Sequence, residues 1–294
     1  MSRKSLWLFM LVGVAWGLPY LFIRLAVEEF STPTIIFTRV VIGALVLIPI
    51  AIHRKVLTPA LKNWRWVLAY ALLEMVGPWF LIPEAERVIS SGLAGLLVAT
   101  VPFFGLVIGL FFLRDKSLAH PKTLIGLVVG FSGVILLVGI DAINGHLSLQ
   151  HVGMVILASA GYAIAPVVAN HKMPNVSSVA INGLAMAMVA VIYAVPALFA
   201  LPSEIAAQPS VEAWGSLLGL GVICSSIAFV AFFSLSREIG VPRASLVTYM
   251  NMAVAVILGI ILLAEPITTG ILIGFPLVLV GSYLATKKHV GANH

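Results

Sequence analysis

Long apolar runs, each broken by a short polar or proline-bearing turn, fill the chain from end to end. A helix needs roughly 20 apolar residues to cross the hydrocarbon core of a bilayer. Ten runs reach that length, near residues 5–27, 33–53, 65–83, 90–113, 122–140, 151–170, 177–200, 213–236, 243–263 and 267–286. The breaks carry Ser31-Thr32-Pro33, Leu57-Thr58-Pro59, Arg114-Asp115-Lys116, Asn144-Gly145-His146, Lys172-Met173-Pro174 and Glu265-Pro266. These residue types end helices or favour turns. The first run follows Arg3-Lys4 as a signal peptide would. It continues to Val27, however, and holds Trp16, Pro19 and Arg24, so it is read as the first membrane span. The pattern predicts an all-α membrane protein of ten transmembrane helices, with little chain outside the bilayer.

Composition excludes a soluble fold. Of 294 residues, 61% are hydrophobic and 10% charged, against about 25% charged in soluble domains. The net charge of +6 does not indicate nucleic acid, because Lys and Arg form short clusters between apolar runs and no basic stripe or tail. Their placement orients the chain instead, since Lys and Arg near span ends stay on the cytoplasmic side. With the N-terminus inside, every basic residue but Arg24, Arg39 and Arg87 falls inside. Glu28, Glu29, Glu84, Glu86, Asp141, Glu204, Glu212 and Glu265 fall on the other side. The expectation is a multi-pass protein of the inner or plasma membrane with both termini cytoplasmic. The single cysteine, Cys224, lies in an apolar run and fits neither an internal disulfide nor a zinc spacing.

The chain also repeats itself. Ala94-Gly95-Leu96-Leu97 corresponds to Ala244-Ser245-Leu246-Val247 at a shift of 150, which also pairs Gly109 with Gly259, Leu113 with Leu263 and Asp115 with Glu265. Beyond that acid the shift becomes 148 and pairs Ile125-Gly126 with Ile273-Gly274 and Gly133 with Gly281; near the start of each half, Gly17 pairs with Gly161. Two repeats are expected, residues 1–143 and 147–288. Five spans per repeat is an odd number, so the second copy enters the bilayer from the opposite side. Inverted repeats suit carriers, because each half can adopt the conformation of the other and the two access states lie close in energy.

On these residues the chain resembles the drug/metabolite transporter superfamily, and within it the ten-helix EamA-type exporters. The resemblance rests on Ala15-Trp16-Gly17 in span 1 and Phe37-Thr38-Arg39 in span 2. In span 4 it rests on Ser91-Gly92-Leu93-Ala94-Gly95-Leu96-Leu97, Val101-Pro102 and Leu113-Arg114-Asp115. The second half repeats it in Arg243-Ala244-Ser245-Leu246-Val247 and Leu262-Leu263-Ala264-Glu265-Pro266. The runs Gly126 to Gly133 and Gly274 to Gly281 also look like the family. Asp115 stands where the family more often has Glu, and Met252 where it has proline. Overall the chain is most similar to the YddG-type exporters of aromatic amino acids, which implies export of amino acids with aromatic or bulky apolar side chains.

Polar groups at membrane depth are costly and need a reason. Glu74 lies mid-span, one turn after Tyr70 and just before Gly77-Pro78-Trp79. Its carboxylate can meet a substrate ammonium or carry a proton, or it can be a structural acid in a wet cavity. Arg39 can bind a carboxylate, but is read rather as a structural group that snorkels or satisfies backbone carbonyls. Arg24 is read as snorkelling. The substrate-binding candidates are Trp16, Tyr20, Tyr70, Glu74, Trp79, Tyr162, Tyr249 and Asn251, because rings with a polar tip can hold and orient an apolar side chain. Spans 1, 4, 6 and 9, with the proline-bearing span 3, are expected to form the site. Trp64, Trp66 and Trp214 sit at span ends and suit the interfacial belt. Ser225 and Ser226 can bond between helices, and Gly13/Gly17, Gly105/Gly109, Gly126/Gly130, Gly215/Gly219 and Gly270/Gly274 have the small-xxx-small spacing of close helix contacts.

Other function classes fit less well. An intramembrane aspartyl protease needs two facing acids, and Asp115 and Asp141 both lie at span ends. All seven histidines lie in loops, at span ends or in the tail, so none serves as a deep base or a buried metal ligand. No phosphate-binding loop or ATP-binding domain is present. The chain is therefore read as a transporter and not an enzyme, with no cofactor or metal. Its partners are a small-molecule substrate and the lipid bilayer. A channel is the main alternative.

Overall fold

The computed structural model describes residues 2–112, 121–143, 148–240, 244 and 247–286. Ten long helices occur among them: α1 (Arg3–Ala26), α2 (Thr32–His53), α3 (Trp64–Glu86), α4 (91–112), α5 (Pro121–Ile143), α6 (Leu149–Lys172), α7 (Ser178–Ala206), α8 (Val211–Ile239), α9 (Val247–Leu262) and α10 (Thr269–Thr286). One short extra helix, Leu57–Lys62, lies between α2 and α3. No strand occurs among the described residues. Seven of the helices are long and apolar enough to cross a bilayer; apolar stretches of α5, α9 and α10 supply three shorter ones. Large apolar side chains such as Leu45, Val191, Phe199, Ile261 and Leu272 point outward and are exposed, as lipid-facing residues are. The fold is an all-α membrane protein of two inverted five-helix repeats.

The halves pack in corresponding ways. Each helix of the first half has a counterpart five places on, and two counterpart pairs, α2 with α7 and α5 with α10, make the most extensive contacts among the described residues. The α3–α6 contact is likewise matched by α8–α1. Both members of the α2–α7 pair are followed, two residues past their ends, by a residue of positive φ, Lys55 and Gln208, which stops a helix by turning the chain left-handed. The α5–α10 contact runs backbone against backbone. A Cβ on Gly133 would sit 2.8 Å from Val278 N, and one on Gly274 2.6 Å from Gly133 O, so only glycine admits that approach. A Cβ on Gly105 or Gly215 would meet nothing within 4 Å, whereas one on Gly219 would lie 2.6 Å from the Phe22 ring, so of the Gly215/Gly219 pair only Gly219 marks a close contact. The motif residues Leu113 to Asp115, and Arg243, lie outside the described residues.

Helix α7 runs to Ala206 through Pro202, six residues beyond the expected end, because a proline removes one ladder bond without obliging the helix to stop there. The two ends of the bundle gather different side chains. Lys4 Nζ meets Glu238 Oε1 at 2.5 Å and Ser5 Oγ donates to Glu238 at 2.7 Å at the end that carries the N-terminus. The opposite end collects the turns around Glu29, Glu84, Glu204, Ser210 and Glu265.

Candidate transport cavity

Proline and serine chemistry distort two corresponding helices beside the bundle axis. In α3, Pro78 has no N–H, and the turn before it, Leu72–Val76, opens to a π-helix in which Gly77 N bonds Leu72 O. Tyr193 Oη donates to the Val76 carbonyl at 2.9 Å. In the counterpart α8, Leu220–Ile227 is also π-helical, and Ser226 Oγ donates to Gly221 O, five residues back, at 2.9 Å. Such bulges re-aim side chains and often mark functional sites. Here they bring Glu74 and Ser225 to the centre of the bundle.

Between the halves lies a cavity of about 730 Å³. Trp16 and Tyr20 of α1, Tyr70, Glu74 and Trp79 of α3, Tyr162 of α6 and Asn251 of α9 line it. Seven of the eight sequence candidates thus share one wall space. Tyr249 does not line it. On α9 the cavity face is Thr248 and Asn251, three residues apart, and at 3.6 residues per turn Tyr249 points away from both. Helices α2, α7 and α8 also contribute, through Arg39, Asn182, Phe229 and Phe232 among others, so the site is wider than the expected spans 1, 3, 4, 6 and 9. Trp16 packs against Phe229 and Phe232 with ring centroids 5.6 and 4.7 Å apart. Tyr70 Oη donates to Asn182 Oδ1 at 3.1 Å.

Arg39, read from the sequence chiefly as a structural group, lies on the cavity wall. Among the described residues it makes no bond to a backbone carbonyl. Its Nε donates to Ser225 Oγ at 2.8 Å, and its guanidinium carbon lies 3.7 Å from the centre of the Trp79 ring. Its side chain is 8% exposed, facing the cavity. A lone Arg in an apolar span signals little. Only the fold brings Ser225 and Trp79 to it, from α8 and α3.

The cavity opens at one end. Exposed Arg54, Asn170, Ser178 and Arg237, at the N-terminal end of the bundle, line its mouth. Toward the opposite end its lining residues Tyr20, Ile23, Trp79 and Ile82 are buried. Beyond them a layer of bonds between helices closes the bundle. Glu29 accepts from Ser210 N at 2.6 Å and from Ser210 Oγ, and Glu204 accepts from Ser31 N at 2.8 Å. Thr32 donates to Glu84, and Arg87 to the Val27 and Phe30 carbonyls. Glu265 caps α4 by accepting from Ser91 N at 2.6 Å and Gly92 N at 3.0 Å. Arg24 does more than snorkel, since it donates to the Glu86 carbonyl at 2.9 Å. Glu86 itself, which the charge pattern assigns to a loop, is wholly buried. Ser210 holds the Glu29 carboxyl below its ordinary range. That contact is therefore made above the ordinary carboxylate range and is lost as pH falls through the lowered value.

A cavity at the junction of two five-helix halves, open to one end and sealed at the other, is a transporter's arrangement. The sequence of each half carries the same pattern: the EamA-like transporter family matches residues 3–139 and again 150–287. The chain belongs to the EamA-like transporter family. This EamA-like protein is 28% identical to the Bacillus subtilis uncharacterized transporter YoaV over 94% of each chain. It is 27% identical to the Escherichia coli uncharacterized inner membrane transporter YedA, over 95% of this chain and 92% of that one. A probable terminal-alkyne amino-acid exporter of Streptantibioticus cattleyicolor is 22% identical over 98% of this chain and 95% of its own. A crystal structure of 18% identity superposes with a TM-score of 0.62 over 97% of this chain and 98% of that one, which shows a shared fold. The protein is a multi-pass membrane transporter of small molecules.

Proposed function

We propose that this EamA-like transporter exports amino acids with aromatic or bulky apolar side chains by alternating access. The observation that carries this reading is the aromatic wall of the central cavity. Trp16, Tyr20, Tyr70, Trp79 and Tyr162 face a space of about 730 Å³, within the about 300–1,000 Å³ of small-molecule pockets. A sugar site would demand more Asn, Gln and Asp than these walls offer. The relative that carries an amino-acid exporter's name supports the class. Closure at one end favours a carrier over a channel; substrate counterflow in proteoliposomes, without ohmic current, separates the two.

Replacing Trp16 or Tyr162 by Ala should weaken transport of phenylalanine and similar amino acids several-fold. A lost ring contact costs about 0.5–1.5 kcal/mol beyond area burial. Tyr249→Ala, outside the cavity, should leave substrate affinity unchanged. Proteoliposome uptake with a panel of labelled amino acids measures both. Wild-type affinity in Trp16→Ala and Tyr162→Ala together, or flux of sugars but of no amino acid, would overturn the reading.

Orientation follows from the basic residues. The open end, with Lys4, Arg54, Lys172 and Arg237, is assigned to the cytoplasm, so this is a conformation open inward. Reporter fusions after Lys62 and after Gln208 should then report opposite sides, Lys62 cytoplasmic. The same side for both would contradict the two inverted repeats, 1–143 and 147–288.

A further inference from the structure

The cavity wall carries a basic and an acidic side chain that no ion pair among the described residues takes up. Arg39 takes part in none of the ion pairs among the described residues. Only its Nε has a hydrogen-bond partner there, so both Nη groups are left to the cavity. Glu74 lines the same cavity, and its Oε2 is buried without a partner. Arg39 from α2, Glu74 from α3 and Tyr162 from α6 line this one space. An unpaired ion out of bulk water is costly. A cation and an acid kept apart in one apolar chamber are best matched by a ligand that carries both opposite charges.

Resting on the amino-acid reading above, we propose that Arg39 seats the substrate carboxylate and Glu74 its ammonium. The geometry suits the carboxylate half in particular. A guanidinium binds a carboxylate through two parallel N–H bonds, and only if its plane is fixed. Ser225 holds the Nε edge of Arg39, and the Trp79 ring lies against its flat face. The Nη edge therefore stays turned to the cavity in one plane. Glu74 offers the ammonium its Oε2, which has no partner among the described residues. The aromatic wall is then free to hold the side chain, so the charged pair sets the substrate class and the rings set the preference within it.

The test uses the full-length protein in nanodiscs and tryptophan-fluorescence titration with phenylalanine, 3-phenylpropionate and phenethylamine, which share one ring and differ in charged groups. Wild type should bind phenylalanine at least about tenfold tighter than either truncated analogue. Arg39→Gln should weaken phenylalanine and 3-phenylpropionate by about 10- to 100-fold, the range of a hydrogen-bonded charge, and leave phenethylamine unchanged. Glu74→Gln should do the reverse. Ser225→Ala retains the cation but frees its plane, and should weaken only the two carboxylates, by several-fold; it carries the test if Arg39→Gln fails to fold. Phenylalanine bound equally by wild type, Arg39→Gln and Ser225→Ala would overturn the carboxylate seat and leave the amino-acid reading standing. Arg39-dependent binding of 3-phenylpropionate with none of phenylalanine would overturn the amino-acid reading and leave the seat. Binding of phenethylamine alone, or of none of the three, would overturn the proposal.

Discussion

Gly161→Ala should destabilise the transporter, while Gly153→Ala on the same helix should not. A Cβ on Gly161 would lie 2.5 Å from the Leu73 carbonyl oxygen and 3.2 Å from Pro78 Cγ. That carbonyl belongs to the π-turn of α3, and Pro78 has no N–H to offer it. The obstacle is backbone beside a proline ring, so it cannot swing aside as a flexible side chain would. Helix α6 must move off α3 at the level of Glu74 and Tyr162. Overpacking of this kind costs about 1–3 kcal/mol. Gly153 has nothing within 4 Å of its Cβ position. There alanine should be neutral or stabilise the helix by about 0.5–1 kcal/mol through reduced backbone freedom. Thermal unfolding in detergent should show a fall for Gly161→Ala and none for Gly153→Ala, and uptake should fall only in the first. Equal unfolding temperatures for the two variants would mean that the α3–α6 approach is looser than it stands here.

The spans were legible because bilayer thickness demands an apolar run of set length, and little else in a sequence imitates ten of them. The repeat was legible through pairs such as Gly126 with Gly274 and Gly133 with Gly281, and at Gly133 and Gly274 the two helices touch. Glu74 and the cavity tyrosines stood out because a polar group at membrane depth has few bland explanations. What the sequence hid was of two kinds. One is the contact between distant helices: Arg39 needs Ser225 and Trp79, which are 186 and 40 positions away, and no local pattern joins them. Tyr249 shows the same on a smaller scale, since its ring suits a binding site and only the rotation of α9 keeps it off the lining of this cavity. The other is the conformational state. Basic residues orient the chain identically whether the cavity opens to one side or the other. Only the bonds of Glu29, Glu204, Thr32 and Arg87 reveal which end is shut.

Glu74→Gln should abolish pH-driven accumulation of substrate in proteoliposomes while substrate exchange persists. Glu74 is the only acid on the cavity wall among the described residues. It stands about 18 Å from the closed end of α3, taking twelve residues at about 1.5 Å each. Loaded carriers return through the cycle only in states whose charge the membrane interior tolerates. A carboxyl that holds either a proton or a substrate ammonium satisfies that condition in both directions. On the proposed reading, proton entry and amino-acid exit would be coupled by competition for one group. Glutamine keeps the shape and a carbonyl acceptor but cannot exchange a proton. The cycle with bound substrate survives, at the weaker affinity expected for a lost charge, and the return driven by protons does not. Counterflow at raised substrate concentration should therefore proceed in Glu74→Gln, and an imposed pH gradient should drive none. Full gradient-driven accumulation in this variant would remove Glu74 from coupling and leave it with a binding or structural role. Loss of counterflow as well, at every substrate concentration and in a variant that folds and binds, would show that its charge is needed for the conformational step itself.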